Sequence, residues 1–73
     1  MFTRRGDALG RLFAERREWH AALMRQQDAI ALALRLQVRG EGPGPTDAEI
    51  GRLGRATAGA ERADNAYLRM LSE

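Results

Sequence analysis

The chain has 73 residues, no cysteine, 30% charged and 44% hydrophobic side chains, which allows one small domain and excludes a disulfide scaffold or a thiolate metal site. Thirteen of its thirty-two hydrophobic residues are alanines, and its aromatics are Phe2, Phe13, Trp19 and Tyr67. A chain this short buries only about 60% of its unfolded surface when it folds alone, so such a thin apolar set predicts a partner or self-association. All twelve basic residues are arginines against ten acids, giving a net charge of +2.

In chain order, the N-terminal stretch carries Arg4, Arg5 and Arg11 with no continuous apolar run behind them, and Asp7 and Glu15 interrupt it. This is not the pattern of a targeting segment, and the expected location is cytoplasmic. No stretch reaches the roughly 18 uncharged apolar residues of a membrane span; the longest candidate, Ala29 to Leu34, is closed by Asp28 and Arg35.

From about Asp7 to Arg39 the sequence holds no proline and is filled with Ala, Leu, Arg, Gln and Glu, the residues that lose least on entering a helix. One long helix is predicted. Leu9, Leu12, Trp19, Leu23, Ile30 and Leu34 share one side of it at ~100° per residue, with Phe13 and Val38 at the edge. Arg16, His20 and Gln27 fall in the same stripe and need partners if covered.

The run Gly40, Glu41, Gly42, Pro43, Gly44, Pro45 is a break, since glycine and proline both end helices. Thr46, Asp47, Ala48 and Glu49 then form a capping-box pattern that opens a second helix running to about Leu71. Its expected seam is Ile50, Leu53, Thr57, Ala60, Asp64, Tyr67 and Leu71, stepping by three and four. Ala56, Gly59, Ala60 and Ala63 offer small residues for close helix approach, although Gly51, Gly54 and Gly59 each cost about 1 kcal/mol of helix propensity.

The predicted fold is therefore all-α, an antiparallel two-helix hairpin that completes a helical bundle by oligomerisation or with a partner. A blunt reversal pairs residues whose numbers sum to about 86, which sets Leu53 beside Leu34 and Asp64 beside His20 as a structural polar pair. That register leaves residues 1–12 overhanging, with Phe2, Leu9 and Leu12 exposed beside a basic arm of Arg4, Arg5 and Arg11. Leu32 and Leu36 point away from the stripe and form the expected assembly face.

The chemistry available is narrow. There is no Cys, one Ser (Ser72) and one His (His20), so no nucleophile and base can be assembled. Glu15, Glu18 and His20 lack the spacing of a helical metal site, and a metal held by His20, Asp64 and Glu61 would require a dimer; no cofactor is expected. The Gly-rich turn follows a helix and not a strand, so it is not a phosphate loop.

The outline, two helices joined by a Gly-rich turn after about forty residues, resembles in topology several small hairpin families: WXG secretion substrates, dimeric plasmid RNA-binding hairpins and two-helix co-chaperones of needle proteins. The only tryptophan, Trp19, stands mid-helix, and the turn carries no Trp-x-Gly, so the resemblance is one of outline. The expected function is a non-catalytic interaction protein, an adaptor, regulatory or assembly subunit that binds protein helix to helix, as a homo-oligomer or in a hetero-complex. The alternative is an Arg-rich nucleic-acid-binding accessory protein that contacts phosphates.

Overall fold

The turn is built in two unlike halves. Helix α1, Arg4–Val38, closes where the Glu41 amide donates to the Leu36 carbonyl (2.8 Å) and the Gly40 amide to the Gln37 carbonyl (3.0 Å). Gly40 sits at φ +75°, the left-handed conformation such a closure requires and glycine adopts freely. Gly44, at φ +90°, leaves its side-chain space to the Gln37 amide, whose Nε2 donates to the Pro43 carbonyl at 3.2 Å. Helix α2, Asp47–Ser72, opens on the expected capping box: the Glu49 amide donates to Thr46 Oγ1 (3.1 Å) and the Thr46 amide to Glu49 Oε1 (3.2 Å).

The computed structural model describes residues 4–73, and among these the chain is an all-α hairpin without strands, extending 58 × 18 × 16 Å. The seam between the helices is narrow. Its buried residues are Ala56, Ala60 and Ala63 with Gly59, and the Trp19 ring fills the space a side chain at position 59 would need. Small residues let the backbones approach, and a large ring from α1 closes the gap.

The seam departs from both expected stripes. On α2 it follows Glu49, Leu53, Ala56, Ala60, Ala63 and Tyr67, while Ile50, Thr57 and Leu71 are exposed; the Thr57 hydroxyl turns back to the Leu53 carbonyl at 2.8 Å. On α1 it follows Leu12, Arg16, Trp19, Leu23, Gln26 and Ile30 and continues to Ala33, leaving Leu34 and Val38 exposed. A seam that repeats every 3.5 residues drifts by ~20° per heptad against a straight helix, so a fixed 100° count carries Leu34 and Val38 out of it by the last turns.

The register is also shifted. Phe13 meets Tyr67, Arg16 meets Asp64 and Trp19 meets Gly59, pairs whose numbers sum to 78–80 and not 86, while His20 still reaches Asp64 as expected, at a sum of 84. Residues 43–46 belong to neither helix, and Thr46 is extended. Extended backbone advances up to ~3.3 Å per residue against ~1.5 Å in a helix, and a sum lower by about six sets α2 roughly 9 Å, about one and a half turns, further down α1 than a blunt reversal would. The overhang accordingly lies at the turn end, and the expected projection of residues 1–12 is not found among the described residues: Leu9 and Leu12 are half-buried, and Arg5 donates from Nη2 to the Met70 carbonyl at 3.0 Å.

Candidate functional site

The polar residues of the α1 stripe find their partners on α2. Asp64 Oδ1 receives Arg16 Nε at 2.6 Å and stands 2.9 Å from His20 Nε2, so a single carboxylate oxygen serves residues one helical turn apart. The Arg16 guanidinium also lies over the Tyr67 ring, 5.7 Å from its centre, and Tyr67 tilts against Phe13 at 5.9 Å. The hydrogen bonds from His20 and Arg16 hold the Asp64 carboxyl below its usual range. All three side chains remain about a third or more exposed, so the cluster is a hydrated clamp that sets register and not an enclosed reaction site.

The structure separates the other expected residues. Phe2 lies outside the described residues. Arg4 and Arg11 are exposed, whereas Arg5 is tied to α2. Leu32 is 52% exposed, but Leu36 is half-buried beneath Gly42, because the turn folds back over the last turn of α1. Leu32 and Leu36 therefore do not form one open patch.

A different surface is visible instead. One position after the seam, α1 carries Phe13, Met24, Leu34 and Val38, and α2 carries Ile50, Leu68 and Leu71; these are seven of the nine exposed large apolar side chains. In antiparallel helices a step of about 100° beyond the seam turns both rows to the same side of the hairpin. His20 and Asp64, one from each row, touch across it. The row one position before the seam carries Arg11 and Arg25 on α1, with Glu15 and Glu18 between them, and Arg52, Arg55, Arg62 and Arg69 on α2.

The hairpin thus has an apolar face and an arginine-rich face. Sequence reasoning missed both because the larger residues of α2 were assigned to the seam. The signal was present, a second row stepping by three and four directly behind the first on each helix. Among the described residues no helix is long and apolar enough to cross a membrane. Comparison with protein-family models, with curated proteins and with solved structures gives no match for this chain.

Proposed function

We propose that the protein is a small non-catalytic helical-hairpin interaction protein of the cytoplasm, an assembly or adaptor subunit that binds through helix–helix packing. The observation that supports this reading is the inversion of its side chains: the seam buries alanines, while one outer face carries Leu34, Val38 and Ile50 toward the turn end, Phe13, Leu68 and Leu71 toward the other, and Met24 between them. Exposed apolar patches on a small protein mark an interaction site. An ordinary amphipathic hairpin would place those side chains between its own helices.

The arginine-rich opposite face supports a second reading, contact with nucleic-acid phosphates through Arg52, Arg55, Arg62 and Arg69. The two are separated by retention of single-stranded and duplex DNA and RNA across a salt series, measured beside the solution mass by light scattering. Interaction through the apolar face gives a salt-insensitive assembly and weak retention. A folded monomer that binds nucleic acid with affinity falling steeply between about 50 and 200 mM salt would overturn the interaction reading.

A further inference from the structure

We infer that the occupant of the apolar face is a second copy of this chain, in a four-helix bundle with both turns at the same end. The inference rests on the interaction reading above and names its partner. From Phe13 to Val38 the face runs about 38 Å at ~1.5 Å per residue on a hairpin 18 Å wide, on the order of 700 Å², close to the ~800 Å² that each partner contributes to a stable interface.

Its pattern is complementary to itself. With α1 residues level with α2 residues at a sum of about 80, Leu34 lies level with the start of α2 near Ile50, and Phe13 lies level with Leu68. Between these apolar ends the α1 row carries Arg17, His20 and Gln27 and the α2 row carries Thr57, Glu61 and Asp64; His20 and Asp64 pair within the hairpin, whereas Arg17 and Glu61 make no ion pair among the described residues. Stacking two copies with the turns together sets α1 of each over α2 of the other. Apolar ends then meet apolar ends, and Arg17 meets Glu61 of the partner subunit. Turns at opposite ends would set α1 over α1 and α2 over α2, where Arg17 and Glu61 face no opposite charge. The arginine-rich faces point outward in the same-end bundle, where their charges stay hydrated.

The test combines solution mass with one distance. The wild-type chain is expected to be a dimer. Leu34→Glu and Leu68→Glu, both exposed in the single hairpin, should raise its dissociation constant at least about 100-fold with helicity retained, while Leu32→Glu, which lies off the face, should leave it unchanged. Arg17→Glu and Glu61→Arg should each weaken the dimer about 10-fold, and the double variant should recover most of the loss. A nitroxide on Glu41→Cys should report a separation within about 25 Å between turns in the same-end bundle, against roughly 50 Å if the turns are opposed. This distance is read without altering the face, so it decides the arrangement even if a Glu variant fails to fold. A folded wild-type monomer that ignores nucleic acid overturns the second copy and leaves a hetero-partner as the occupant, whereas a dimer indifferent to Leu34→Glu and Leu68→Glu, or a long distance, overturns this face or this arrangement.

Discussion

Trp19 occupies the volume that a side chain at position 59 would need, so the closest approach of the two helices is set by one indole ring and one missing methyl group. Gly59→Ala must push the ring or the helix aside. Overpacking of this kind costs about 1–3 kcal/mol, against about 1 kcal/mol gained in helix propensity, so a net loss of roughly 1 kcal/mol is expected. The same substitution at Gly51, where an added Cβ meets only Arg55 Nη1 at 3.9 Å, should stabilise by up to about 1 kcal/mol. Urea titration of the two variants checks the opposite signs; a Gly59→Ala protein as stable as Gly51→Ala would show that the ring is not wedged.

Asp64 makes stability depend on acid. Its carboxyl is held below the usual range by His20 first and Arg16 second. A depressed native pKa stabilises the fold fully above the unfolded value near 3.8, and that contribution is lost as pH falls through the lowered native pKa. The melting temperature of the wild type relative to Asp64→Asn should therefore be higher at pH 5 to 6 and should converge on it toward pH 2 to 3. A constant difference across that range would mean that the ion pair plays no part.

The turn makes a third prediction, because its two left-handed glycines do different work. Gly40 lies open, with nothing within 4 Å of an added Cβ, and Asn tolerates its conformation, so Gly40→Asn should be nearly neutral. At Gly44 an added Cβ would meet the Gln37 amide carbon at 2.7 Å and also hold a strained φ, so Gly44→Ala should lose roughly 2 kcal/mol. Thermal melts of both variants decide whether the Gln37 contact is what distinguishes them.

The parts of the fold legible in the sequence are those governed by local chemistry. The Gly/Pro run, the Thr46–Glu49 box and two breaker-free segments are readable because each acts through neighbours in the chain. The meeting of His20 with Asp64 was also accessible, since two polar groups on facing stripes have few other partners. The seam of α2 is legible in part: Ala56, Gly59, Ala60 and Ala63, the small residues suited to close approach, are its buried residues, whereas Ile50, Thr57 and Leu71 of the expected stripe face outward, because Trp19 packs where α2 has no side chain. The register escaped for a related reason: it depends on how far residues 43–46 carry the chain, and that distance is a property of their backbone angles.

Those four residues have a consequence for how such a chain can vary. Surface connections ordinarily accept insertions and deletions. Here an extended residue such as Thr46 advances the backbone about as far as two helical residues do, so its deletion would slide α2 by roughly half a helical turn. That slide would carry Gly59 away from Trp19 and Asp64 away from Arg16 and His20 together. The short connection acts as a gauge block, its length as constrained as the identity of any side chain it brings into contact.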